Sequence, residues 1–282
     1  MTVRGQGGRL LALLAAVGGA RALYAGLNRV PPGEPALWER RNHRGRVVTL
    51  YQGPAVAAAV ATAVVAAPQL PPRLRAATAL ATVAAAGCGS CDDMLGGPER
   101  GLRAHLRAAR EGRVTTGAVK LAGIGSAAVV AACLVQRRPV DRLLAATVIA
   151  GTAGAVNLLD VRPGRAVGAV LAAGLPTVLR GGPGAAVAAA AVGAAAALLP
   201  DDRGERTMLG DCGAHALGAA LGTLGGRFRP CRTGRAGGGP ALLPRGGRTG
   251  PVRRTLTAPM RAAPGRGPGD RSGHCPHPGT TG

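Results

Sequence analysis

The run Ala84-Ala-Ala-Gly-Cys-Gly-Ser-Cys-Asp-Asp-Met-Leu-Gly-Gly97 decides how the rest of the chain is read. It closes a stretch without charge from Ala76 to Cys91 and stops at two adjacent carboxylates, Asp92 and Asp93. The basic segment Glu99–Arg113 follows, and then an apolar run that carries the single charge of Lys120. A carboxylate at mid-depth in a bilayer costs about 2.5–3.5 kcal/mol on insertion scales, so acids in such chains sit at membrane surfaces or do chemistry. Two neighbouring carboxylates also repel each other unless a cation satisfies both. A plain Ala-rich membrane anchor has no use for such a pair.

Composition agrees with a membrane setting. Of 282 residues 47% are apolar, yet only 1% are aromatic, and the mean hydropathy is +0.18. A soluble core draws on large aliphatic and aromatic side chains, whereas this chain offers mainly Ala, Val, Leu and Gly. Small residues suit transmembrane helices, which associate by close backbone approach. The net charge of +22 invites a nucleic-acid reading, but the arginines cluster in short loops between apolar runs, as topology signals do, and no nucleic-acid partner is expected. Cys88-Gly-Ser-Cys91 has redox-motif spacing without the strand pattern such motifs need, so small buried thiols are the expectation there.

Eight candidate spans follow: Leu10–Leu27, Tyr51–Pro68, Ala76–Cys91, Val114–Val135, Leu143–Leu159, Ala166–Leu179, Ala185–Leu199 and Met208–Gly225. Several are shorter than the roughly 20 residues a perpendicular helix needs, which implies tilt or a thin bilayer. Alternation puts the loops 28–50, 92–113, 160–165 and 200–207 on one side. These loops hold Asp92, Asp93, Asp160, Asp201 and Asp202, with Asp211 just beyond, and about fourteen arginines against eight opposite. By the positive-inside rule that side is the cytoplasm. Acids from several helices on one face are what a metal or phosphate site needs. Asp201-Asp202 by itself reads as a solvated turn or cap.

At helical spacing within Arg100–Arg110, Leu102, Leu106 and Ala109 share one face and Arg103, Arg107 and Arg110 the other, an interfacial amphipathic helix. Its arginines suit anionic lipid headgroups or a substrate phosphate equally. Residues 227–282 are dominated by Gly, Pro and Arg, with eleven arginines and one acid. Such a segment cannot offset its ordering entropy, so a disordered tail is expected after a membrane domain of residues 1–226. His274, Cys275 and His277 have ligand chemistry, but not the rigid setting a metal needs.

Several motifs together resemble the polyprenyl-phosphate N-acetylhexosamine-1-phosphate transferases, which include the phospho-N-acetylmuramoyl-pentapeptide transferases (glycosyltransferase family 4). Gly87 to Gly96, with Asp92-Asp93, resembles the family's G-x-x-D-D element. Asn157-Leu-Leu-Asp160 is similar to the start of N-x-x-D-G-x-D-G. Met208 to Gly218, with Gly210-Asp211-Cys-Gly213, is similar to G-D-x-G-S-x-x-L-G. Asn42-His-Arg-Gly45 with Gly53-Pro54 is loosely similar to an early Gly-rich element, and Lys120 sits where the family often has a basic residue. The resemblance runs from about residue 28 to 226 in the family's order.

It implies a multipass all-α enzyme of the bacterial plasma membrane, with its active face in the cytoplasm. The reaction would transfer a sugar-1-phosphate from a UDP-sugar to a polyprenyl phosphate, with release of UMP, in peptidoglycan or related cell-wall biogenesis. Mg²⁺ would offset the pyrophosphate charge, since it prefers carboxylates and phosphate oxygens. By carry-over Asp211 is the first metal ligand, with Asp92 beside it. Asp92 and Asp93 would bind or act as the base on the acceptor phosphate. Lys120, Asn157, Asp160, Arg107 and Arg110 would meet substrate. A second copy of the chain is retained as a candidate partner. The chain departs from the pattern at Pro163, where the family has a second Asp, and at Val161, where it has Gly. The late His-containing loop and final helices have no counterpart. A divergent subgroup and a truncated, inactive copy both fit, and a noncatalytic envelope scaffold and a small transporter are the readings from other classes. A CDP-alcohol transferase is disfavoured by the missing D-G-x-x-A-R element.

The tail also reads like GC-rich DNA translated out of frame after Gly226. Resequencing across that codon is expected to show a frame shift; an intact frame there removes the idea.

Overall fold

A computed structural model of the chain describes residues 3–96, 107–108, 110–112 and 114–225. The tail 227–282 and most of the amphipathic segment lie outside the described residues, and so do the expectations placed on them.

Among the described residues there are eight α-helices: α1 Val3–Arg29, α2 Gln52–Val65, α3 Pro72–Leu95, α4 Thr116–Val135, α5 Pro139–Leu159, α6 Arg165–Arg180, α7 Ala185–Arg203 and α8 Gly210–Gly225. Each expected span lies on one of them, and the protein is an all-α bundle of membrane character. Local signals set the ends. Pro72 and Pro139 open α3 and α5, where a missing N–H is no loss. The Thr115 hydroxyl caps α4 by accepting from the Ala118 N–H at 3.2 Å. Gly181 and Gly182, both at positive φ, turn the chain between α6 and α7.

Five helices (α1, α3, α4, α5 and α7) are long and apolar enough to cross a membrane. They differ in place. The apolar window of α7 is 83% buried and that of α1 only 17%, so α7 is an inner helix and α1 a peripheral one. Leu11, Leu14, Leu143, Leu158 and Leu179 are exposed on the outside, where a soluble protein would place charge and a membrane protein meets lipid. Cys91 and Cys133 are exposed there too; of the described cysteines only Cys212 is buried. The buried-thiol expectation is met in part at Cys88, which is half-buried, and not at Cys91, which turns away from the neighbouring helices.

The second inner helix, α8, packs against α5, α3 and α2. Its 16 residues rise about 24 Å, less than the roughly 30 Å of a bilayer core, so its N-terminus must find its partners inside the protein. Glycines allow the approach. A Cβ on Gly53 of α2 would lie 2.6 Å from the Leu209 carbonyl oxygen, and one on Gly89 of α3 would lie 2.6 Å from the Cys212 nitrogen. No side chain fits at either place. Gly87, two residues away on the same helix, has nothing within 4 Å.

One small sheet interrupts the helices. β1, Glu39–Arg41, pairs antiparallel with β2, Val47–Thr49, in the register Glu39↔Thr49. Thr49 N–H donates to the Arg206 carbonyl at 3.3 Å and Met208 N–H to the Thr49 carbonyl at 2.9 Å, so the hairpin is laced to the α7–α8 connection. The chain from 28 to 50, the ends of α3 and α5, and the segment 200–210 thus meet at one end of the bundle, as the count of crossings requires. At the other end Gln69 donates to the Gly8 carbonyl and Arg9 to the Val178 carbonyl.

Gly89→Ala is expected to cost about 1–3 kcal/mol through overpacking against α8. Gly87→Ala is expected to be neutral or to add up to about 1 kcal/mol of helix propensity. Unfolding in detergent micelles measures both; equal effects would contradict the α3–α8 contact.

Candidate functional site

Asp92 and Asp93 are the last charged residues of α3, and consecutive helical positions point about 100° apart. They therefore serve different neighbours. Asp92 faces α4, where Lys120 Nζ donates to Asp92 Oδ2 at 2.7 Å. The same ammonium donates to Asp211 Oδ2, at the start of α8. The Thr116 hydroxyl is a further hydrogen-bond partner of Asp92. Two oxygens on one nitrogen lie less than about 5–6 Å apart, so Asp92 and Asp211 converge on one cation position, as a shared-ion site demands. Side-chain exposures of 13% for Lys120, 19% for Asp92 and 25% for Asp211 leave the group shielded but reachable.

Lys120 is the sole lysine of the chain; the other 34 of its 35 Lys and Arg residues are arginine. That signal was available in the sequence. An ammonium is a compact charge with freely directed donors on a flexible stem, and it fits a point between two carboxylates that a planar guanidinium fork would not.

Asp93 turns to α8. Its Oδ1 accepts from the Asp211 N–H at 3.1 Å and its Oδ2 from the Cys212 N–H at 3.0 Å. The Gly210 N–H is directed at the Asp160 carboxyl and favours its charged form. Two of the amides that helix geometry leaves over at the start of α8 are thus taken by one carboxylate of α3, and the positive end of the helix dipole favours that charge. Gly210 makes this possible. Its φ is +63, and a Cβ there would come within 3.0 Å of Asp93 Oδ2. Arg40 of β1 donates to the Asp93 carbonyl, and His215 Nδ1 lies 2.7 Å from the Asp211 carbonyl oxygen.

The other sequence candidates are spread around this core. Asp160 terminates α5, and Asn157, one turn before it, is half-buried with its carbonyl accepting the Asp160 N–H. Asp160 also lines a cavity of about 410 Å³ together with Arg41, Asn42, His43, Val48, Val161, Arg162, Pro163, Asp202, Glu205, Thr207 and Met208. Burial pushes the Asp160 carboxyl up to about 7; the negative charge of Asp202 adds to the rise, and the Gly210 N–H opposes it. Arg107 and Arg110 are exposed, and among the described residues neither pairs with these acids.

Asp201 and Asp202 correct the expectation of a solvated turn, since both are buried. Asp201 Oδ2 accepts from Arg21 at 2.7 Å and its Oδ1 from Arg206 at 3.0 Å, while Asp202 Oδ2 accepts the Gly164 N–H at 2.6 Å. The clue lay in Arg21, a charge inside the first span that needs a partner. Beyond them Glu205 holds the hairpin, accepting from Asn42 and Arg44 at 2.7 and 2.6 Å. The Asn42 amide first, then Arg44 and Arg46, keep Glu205 below the usual glutamate range.

The donor set fits Mg²⁺, which takes one or two carboxylates and completes its shell with water and phosphate oxygens. Among the described residues no group of three or more His, Cys, Asp and Glu side chains is arranged around one metal position. No protein-family model matches the chain, and no curated protein is significantly similar to it.

The Asp160 carboxyl, raised from about 3.9 unfolded to about 7 folded, favours the folded state most below the unfolded value and loses that contribution as pH rises to 7. The thermal midpoint of the wild type is expected to fall relative to Asp160→Asn between about pH 4 and 7. Parallel curves would contradict the burial of this acid.

Proposed function

We propose that the protein is a Mg²⁺-dependent transferase that moves a sugar-1-phosphate from a UDP-sugar to a polyprenyl phosphate. It would act on the cytoplasmic face of a bacterial plasma membrane, in cell-envelope glycan synthesis. The observation that carries the reading is the convergence of Asp92 and Asp211 on one cation position, at the end of the bundle that also holds the cavity lined by Asp160, Arg41 and Arg162. The family resemblance of the three acidic motifs supports it, because the motifs are distant in sequence and adjacent in space.

In this reading Asp92 and Asp211 hold the metal, and Asp93 is a positioning residue that fixes the start of α8 and so the aim of Asp211. Bound Mg²⁺ would supply neutralisation of the donor pyrophosphate. Lys120 provides a second positive charge for phosphate oxygens. The cavity shared by Asp160, Arg41 and Arg162 offers hydrogen-bond and charge partners for the nucleotide portion, and the exposed Arg107 and Arg110 would offer charge to a lipid phosphate. In the transfer an oxygen of the acceptor phosphate bonds to the sugar-bearing phosphorus, and the anhydride bond to UMP breaks with its electron pair leaving on UMP.

A scaffold without turnover is the second reading. The observation in its favour is that the cluster's carboxylates already have partners within the chain, while Pro163 stands where the family has an acid. Radiolabel transfer from UDP-GlcNAc or UDP-MurNAc-pentapeptide to polyprenyl phosphate in membranes separates the two. Mg²⁺-dependent transfer that drops to background in Asp211→Asn is the expected result. Absence of transfer from any UDP-sugar, with the protein folded, favours the scaffold, and solute flux without transfer favours a transporter.

A further inference from the structure

Mg²⁺ and the Lys120 ammonium have the same use for Asp92 and Asp211, and they cannot both take it. Lys120 Nζ sits within hydrogen-bond distance of one oxygen of each carboxylate, and a divalent ion held between the same two oxygens at about 2.0–2.1 Å would occupy the ammonium's place. The ammonium hydrogens would then lie against the metal, with like charges in direct contact. We propose that Lys120 is a tethered competitor for the divalent cation, which enters by displacing the ammonium and thereby frees it to face an incoming phosphate. The inference rests on Asp92 and Asp211 being the cation ligands.

Three features support an exchange over a fixed ion pair. Lys120 carries the most mobile cationic head available to a protein and is the one lysine in a chain that otherwise uses arginine. It leaves the helix in the second turn of α4, and α4 presents only this charge to the cluster. The cluster keeps an opening, since Asp211 is a quarter exposed, so an ion can reach the carboxylates and the ammonium has somewhere to go. In the resting protein the exchange also solves a folding problem. Two carboxylates at the end of an apolar bundle repel unless a cation lies between them, and Lys120 supplies one when no divalent ion is bound.

A single lysine makes the test direct. The full-length wild-type protein in detergent is treated with a short pulse of an amine-acylating reagent at rising Mg²⁺, and acylation at Lys120 is read by peptide mass spectrometry. The N-terminal amine serves as the internal control. We expect Lys120 labelling to rise several-fold with Mg²⁺ while the N-terminal amine is unaffected. Labelling that is unchanged, or falls, overturns the proposal.

Mn²⁺ binding followed by electron paramagnetic resonance gives an independent readout. Lys120→Met is expected to bind Mn²⁺ at least ~10-fold more tightly than the wild type, because the competitor is gone and two carboxylates remain. Equal affinity in wild type and Lys120→Met overturns the exchange while leaving the metal site standing; no binding to either protein overturns both. Should Lys120→Met fail to fold, the labelling result on the wild type decides alone.

Discussion

An ammonium shared by two carboxylates ties three helices together at one end of this bundle. Asp92 belongs to α3, Lys120 to α4 and Asp211 to α8. Between helices that otherwise touch through Ala, Gly and Val there is little to fix rotation about the long axes, because lipid competes equally well for apolar surface. A partly buried ion pair is different. Withdrawing one partner leaves an uncompensated charge, a penalty of about 3–5 kcal/mol in buried pairs. The group therefore sets which faces of α3, α4 and α8 meet, and the same demand that makes it a structural tie makes it a cation site.

The start of α8 is the second constraint, and it depends on the first. The start of a short inner helix has amides without helical partners, and Asp93 accepts two of them. With Asp93 spent on this contact, its neighbour Asp92 is left to meet the cation. Close approach at Gly53 and Gly89 brings α2 and α3 against the same turn. The hairpin β1–β2 then covers the connection from α7, held by Glu205 and Thr49. Cation position, capped helix and polar cavity are in this way products of one packing arrangement.

Much of this was legible in the sequence. Eight apolar runs gave eight helices, since a run of small apolar residues bounded by Arg, Pro and Gly has few other ways to satisfy its backbone. Counting crossings placed Asp92, Asp93, Asp160 and Asp211 at one end. The hairpin was not legible, because three-residue strands such as Glu39–Arg41 lack a period and are shaped by what they pack on. The burial of Asp201 was half legible: Arg21 inside the first span calls for a partner, but that partner lies 180 residues away, and only the fold brings them together. Nor could spacing reveal that Lys120 would stand between Asp92 and Asp211 instead of at the membrane surface, although its uniqueness among 35 Lys and Arg residues pointed to a special place.

The most direct test of the central tie is a double-mutant cycle between Lys120→Met and Asp211→Asn, read as unfolding free energy in micelles of fixed composition. If one ammonium serves both carboxylates, the two changes are non-additive, with a coupling of about 0.5–3 kcal/mol. Effects that add to within about 0.3–0.5 kcal/mol would mean the residues are independent, and the convergence of Asp92 and Asp211 on a single cation would be wrong.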